Sequence, residues 1–146
     1  MKLDRWLRFA SIALYVTTVS PAAQRSLELV APARVAPGAT AEARVLAATE
    51  AGAGEQIGFL HVEVSTDSGR NWAPLAYEMN VGTSFDRRWP VTVGAAGTRT
   101  LLRVRAAFRG GVAGDVDFAG AAIRWKDAWA AWAVPPSRHA TILVGP

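Results

Sequence analysis

The feature that most constrains this chain is a period of two. Short apolar alternations recur between residues 26 and 123, and most are closed by glycine, proline or a cluster of polar turn residues. Thr100–Phe108 is the clearest. Leu102, Val104, Ala106 and Phe108 fall on one side, while Arg103 and Arg105 fall on the other and Arg109 continues their row. Successive side chains of a strand point to opposite faces, so this pattern describes a strand buried on one side. Ala39–Thr49 repeats it, with Ala41, Ala43, Val45 and Ala47 opposite Glu42 and Arg44. Ile57–Ser65 does so again, with Leu60, Val62 and Val64 opposite His61, Glu63 and Ser65. Further strands are predicted over Ser26–Val35, Trp72–Tyr77, Ser84–Val93, Val116–Ile123 and His139–Val144. Pro90 cannot donate to a ladder, which places its strand at an edge or a bulge. Seven or eight short strands with turns between them predict a mostly β fold, an immunoglobulin-like antiparallel β-sandwich over residues 24–146.

Composition limits the chemistry. The chain has no cysteine and two histidines, His61 and His139. Disulfide scaffolds, thiolate metal sites and cysteine nucleophiles are therefore excluded, and no His/Cys spacing suits zinc. The net charge of +4 is scattered along the chain rather than clustered, so it does not read as a nucleic-acid footprint. His61 and Glu63 share one strand face, and the expected reading is an exposed polar face. The row Arg103, Arg105 and Arg109 is likewise expected to be solvated, with Arg103 and Arg105 available to an acidic partner. Asp115 and Asp117 lie near a glycine-rich turn, but the further carboxylates of a Ca²⁺ loop are missing. No phosphate loop or dinucleotide fingerprint occurs. The sequence thus predicts no catalytic residue, no metal ligand and no cofactor.

Both ends of the body carry a different signal. Lys2, Arg5 and Arg8 precede an uncharged run from Phe9 to Ala23, which ends in the small residues Ser20-Pro21-Ala22-Ala23. That order is the one of a secretory signal peptide. The run spans roughly 22 Å as a helix at 1.5 Å per residue, short of the ~30 Å hydrocarbon core. Residues 1–23 are read as a cleaved signal peptide or as a retained hydrophobic anchor helix with Trp6 at the headgroup level. Near the other end, Trp125, Trp129 and Trp132 recur at i, i+4 and i+7 in an alanine-rich segment, 124–134, stopped by Pro135-Pro136. This spacing predicts a short helix with three rings on one face. The rings either pack on the open end of the sandwich or form a ridge for a membrane interface, a partner groove or a sugar.

Residues 65–72 read Ser65-Thr66-Asp67-Ser68-Gly69-Arg70-Asn71-Trp72. Asp67 can accept backbone N–H groups within such a turn, Gly69 can take a positive φ, and Trp72 begins the return strand. This single turn is similar to the Asp-box that sialidases repeat in several blades. The longer run His61–Leu75, followed by Arg88-Trp89 and then Leu102-Arg103-Val104-Arg105-Ala106, resembles the immunoglobulin-like (E-set) dimerisation domain of molybdenum-cofactor sulfite oxidases. In that family these segments are framework, and the cofactor sits in another domain with an essential cysteine. The resemblance therefore implies the fold and pairing with protein partners, with Asp67, Gly69 and Trp72 as structural turn residues.

These readings converge on an exported, non-catalytic accessory subunit at the periplasmic face of a bacterial inner membrane. Its expected partners are subunits of a membrane protein complex, with a respiratory or photosynthetic assembly as a host that fits. Trp6, Trp125, Trp129, Trp132, Arg103 and Arg105 are the candidate contacts with partner or membrane. The alternatives are a secreted carbohydrate-binding module and a stand-alone partner domain of a sulfite-oxidising type of redox enzyme.

Overall fold

The computed structural model describes residues 24–123 and 137–146. Among these the fold is mostly β: nine strands in two sheets, with no α-helix. The strands are β1 (Arg25–Val30), β2 (Arg34–Val35), β3 (Thr40–Thr49), β4 (Gln56–Ser65), β5 (Ala73–Met79), β6 (Ser84–Thr92), β7 (Arg99–Gly111), β8 (Gly114–Val116) and β9 (Arg138–Val144). One sheet has the order β1-β3-β6; the other has the order β2-β9-β7-β4-β5, with β8 pairing β7.

The two-residue period of the sequence produces this arrangement directly. Leu27, Val45, Ala47 and Phe85 of the smaller sheet share a core with Leu60, Val62, Val104, Ala106 and Phe108 of the larger one. Each fully buried aliphatic or aromatic side chain of this kind stabilises the fold by about 1.5–3 kcal/mol. Ile57 is also buried in that core, although it lies three residues before Leu60. An odd spacing on one face needs an extra residue, and the β4–β7 register shifts between Ile57 and Phe59. Gly58 sits at that bulge, and a Cβ there would lie 2.3 Å from Arg109 Cδ, so the missing side chain makes room for the arginine stem.

The sheets are also joined by polar groups. On one flank Arg138 of β9 donates from Nε to the carbonyl of Leu27 at 2.9 Å and lies over the Phe118 ring. On the other, Arg87 of β6 pairs with Glu78 of β5 at 2.8 Å. At one end Glu55 accepts two bonds from Arg25, at 2.8 and 2.6 Å, and one from the Thr49 hydroxyl at 2.6 Å. The Arg25 and Glu55 side chains are only 3% and 1% exposed. Burial pushes the Glu55 carboxyl up, but its bonds from Arg25 and Thr49 outweigh that and hold it below its usual range.

Two predicted strands take a different form. Ser26–Val35 is broken at Pro32, and β2 crosses to the larger sheet, where it pairs β9 in parallel. That pairing departs from the expected all-antiparallel pattern. Val116–Ile123 is not a continuous strand. After β8 only the bridge Val116–Ala122 remains, because the Asp117 carboxylate accepts the N–H groups of Ala119 and Ala121 and curls the chain into a turn. Gly120 at φ 87° completes it. Both bonds end on Asp117 Oδ1, and no cluster of metal-ligating side chains occurs among the described residues. Pro90 lies on β6, an edge strand as expected.

Candidate functional site

The outer face of the larger sheet carries a polar and aromatic constellation. β7 lies between β4 and β9, and its outward residues meet those of both neighbours. His61 stands opposite Arg105, Glu63 opposite Arg103, and Phe59 opposite Ala107. Across β7, Arg103 stands opposite His139 of β9. On the other side of β4, Tyr77 of β5 stands opposite His61. Cross-strand neighbours on one face lie within side-chain reach, so this register assembles the cluster.

One carboxylate organises it. Glu63 Oε2 accepts from Arg103 Nε at 2.6 Å and from Arg105 Nη2 at 2.5 Å. Arg105 Nη2 also lies 3.5 Å from His61 Nδ1. Because a guanidinium only donates, that contact selects the imidazole with Nδ1 unprotonated. The Arg103 guanidinium lies flat against Trp72, 4.0 Å from the ring centroid. Phe59, His61 and Tyr77 form an aromatic group beside it, with Phe59 and Tyr77 edge to face at 4.7 Å.

The expected exposure of this face is corrected by the structure. His61, Glu63 and Arg105 are only 7%, 8% and 5% exposed, so His61 and Glu63 are not a solvated polar face and Arg105 is not a solvated arginine. Apolar neighbours on the same face account for part of this: Phe59 and Ala107 are buried with Ile123 packed against them. Arg103 and Arg109 keep part of their exposure, at 22% and 44% of the side chain. Burial holds the His61 imidazole below its ordinary value; Glu63 opposes this, while Arg105 and Arg103 add to it. Burial raises the Glu63 carboxyl, but the Arg103 bond and the Arg105 charge prevail and it lies below its usual range. Burial likewise brings Arg105 down to about 10, against the pull of Glu63. Near pH 7 the group is therefore two guanidiniums, one carboxylate and a neutral imidazole.

The Ser65–Trp72 turn borders this face. Asp67 Oδ1 accepts the Ser65 hydroxyl at 2.8 Å and the Asn71 N–H at 2.9 Å, and Oδ2 accepts the Asn71 side-chain amide at 2.6 Å. These bonds, the backbone one first, hold the Asp67 carboxyl down to about 2. Ser68 and Gly69 both have positive φ, and the Gly69 N–H bonds Ser65 Oγ at 2.9 Å. Trp72 is thereby delivered onto Arg103.

Of the predicted contact residues, Arg103 and Arg105 come together here with Trp72. Trp6, Trp125, Trp129 and Trp132 lie outside the described residues, as do the two predicted helices. Sequence reasoning missed Phe59, Tyr77 and Met79. Tyr77 and Met79 are 52% and 54% exposed on the edge strand β5. The usable signal was the mixture of Phe59, Leu101 and Ala107 into rows that otherwise carry charge. Among the described residues no helix is long and apolar enough to cross a membrane.

No protein-family model matches the chain, and no curated protein matches it. Among solved structures it is similar to the superoxide reductase (neelaredoxin) of Ignicoccus hospitalis. That match has 12% identity and a TM-score of 0.44, over 82% of this chain and 79% of that one. It is also similar to the sporulation control protein Spo0M of Bacillus subtilis, at 14% identity and a TM-score of 0.42. Here 84% of this chain and 50% of the other are covered. At TM-scores below 0.5 these likenesses assign neither fold nor activity to the chain.

Proposed function

We propose that this chain is a non-catalytic docking module with an immunoglobulin-like β-sandwich, exported and held at the outer face of a bacterial inner membrane through residues 1–23. Its role is to brace a larger membrane protein complex. The observation that carries the reading is that one sheet face holds both the Trp72–Arg103 stack and, on its edge strand, the exposed Tyr77 and Met79. Tryptophan, tyrosine and arginine are the side chains that dominate protein interfaces, and a flat sheet face presents them rigidly. Two sheets sharing one core, with the chain crossing between them after β1, support the sandwich. The resemblance of His61–Leu75 to a dimerisation domain supports protein pairing.

The test is site-specific photo-crosslinking in native membranes. A photoreactive residue at Tyr77 is expected to give discrete adducts with another membrane-complex subunit. One at Arg88, on the outer face of the smaller sheet, is expected to give none. Adducts of equal yield from both positions, or from neither, would overturn the docking face.

A further inference from the structure

The row of outward residues along β7 carries four arginines, with two carboxylates paired to it among the described residues. Arg99, Arg103, Arg105 and Arg109 share one side of that strand. The carboxylates paired with them among the described residues are Glu63, with Arg103 and Arg105, and Asp115, with Arg109. Arg103 stands out within the row. Its Nε is committed to Glu63 at 2.6 Å and its flat face to Trp72 at 4.0 Å. Its two terminal nitrogens make no hydrogen bond to any described residue, and the side chain keeps 22% of its exposure. An arginine fixed at Nε and stacked on a ring has lost most of its rotamer freedom already. The end of its fork still offers two parallel N–H groups, the geometry that a carboxylate takes up in a bidentate pair.

We infer that Arg103 is the anchor for an acidic side chain of a partner protein, received on the outer face of the larger sheet between Trp72 and His139. This deepens the docking reading above and rests on it. The flanking groups fit a protein rather than a small anion. His139 stands beside Arg103 on β9. Tyr77 and Met79, two strands away and level with Arg105 and Ala107, offer exposed apolar area further along the same face to another residue of the partner. Glu63 does not cancel the site, because its single engaged oxygen is shared by two guanidiniums.

The experiment is isothermal titration of the full chain with four probes. They are a synthetic peptide alternating glutamate and leucine, its lysine counterpart, inorganic phosphate, and phosphatidylglycerol vesicles. The acidic peptide is expected to bind, with an affinity that falls as salt is raised, and the lysine peptide is not. Arg103→Gln is expected to weaken binding at least tenfold. Arg103→Lys, which keeps the charge but not the fork, falls between and serves as the second variant should the glutamine form not fold. Arg88→Gln, on the opposite side of the molecule, is expected to stay within twofold. Peptide binding that ignores Arg103→Gln, or falls equally in Arg88→Gln, overturns the inference. So does binding of phosphate or vesicles alone. If Tyr77 adducts persist in membranes while Arg103 proves irrelevant, the docking face stands and only this anchor fails; loss of both removes the docking reading itself.

Discussion

Replacing Glu55 by alanine tests how the end of the molecule is closed. Glu55 draws together β1 through Arg25, the end of β3 through Thr49, and the start of β4 through its own backbone. The substitution removes three short hydrogen bonds and takes this counter-ion from a guanidinium that is 3% exposed. Breaking a buried pair from one side typically costs about 3–5 kcal/mol. A domain of this size has about 5–15 kcal/mol in total, so the expected loss is about a fifth or more of its stability. It would be seen as a fall in Tm of about 10–20 °C, or as a lower urea midpoint at unchanged slope. Two controls fix the interpretation. Arg44→Ala breaks an exposed pair with Asp86, 36% and 52% exposed, and is expected to leave Tm nearly unchanged. The double change Arg25→Met, Glu55→Leu removes both charges and is expected to regain most of the loss. A Glu55→Ala protein within about 1 kcal/mol of the parent would refute the reasoning, because it would mean that the pair is solvated.

Three further outcomes are expected. His61 has its folded value held below the unfolded one near 6.5, so the unfolded chain binds the proton first and stability falls as pH drops below about 6.5; denaturant titration of His61→Gln should lack that decline. Glu55 and Glu63 are held low by their arginines, so the stability they contribute is present above about 4.5 and is lost as pH falls further, in a window that opens lower than that of His61. Gly111→Ala places a Cβ 2.7 Å from the buried Glu55 Oε2 and is expected to cost about 1–3 kcal/mol by thermal melting, whereas alanine at Gly82, where a Cβ meets nothing but φ is +87°, tests backbone strain alone.

Much of the fold was legible because strands buried on one side write their period into the sequence. Leu102, Val104, Ala106 and Phe108 face the core, as do Ala41, Ala43, Val45 and Ala47. What the period does not record is where a strand stops belonging to its sheet. Pro32 permits the crossing of β2, but its parallel pairing with β9 depends on bonds such as Leu143 N–H to the Ala33 carbonyl, between residues far apart in the chain. The turn at Asp117 was hidden for a related reason: a carboxylate that captures two backbone N–H groups competes with the ladder, and alternation cannot show it.

The candidate site was half visible. Arg103 and Arg105 were readable as an outward row, and Asp67, Gly69 and Trp72 as a turn. That Glu63 sits between both arginines follows only from the β4–β7 register, which a bulge at Gly58 shifts by one residue. Burial of His61 and Arg105 was illegible for the same reason, since alternation assigns charged residues to solvent by default. Tyr77 and Met79 acquire their meaning from β5 being an edge strand, a property of sheet order.

The account's central claim is that this chain works as a tethered subunit of a larger membrane assembly. Intact mass and size of the native protein after fractionation with and without detergent test it most directly. The account predicts a full-length species of 15.5 kDa that is released only by detergent and migrates within a much larger particle. A detergent-independent species lacking about 23 residues, by signal-peptide cleavage, and migrating alone would contradict it.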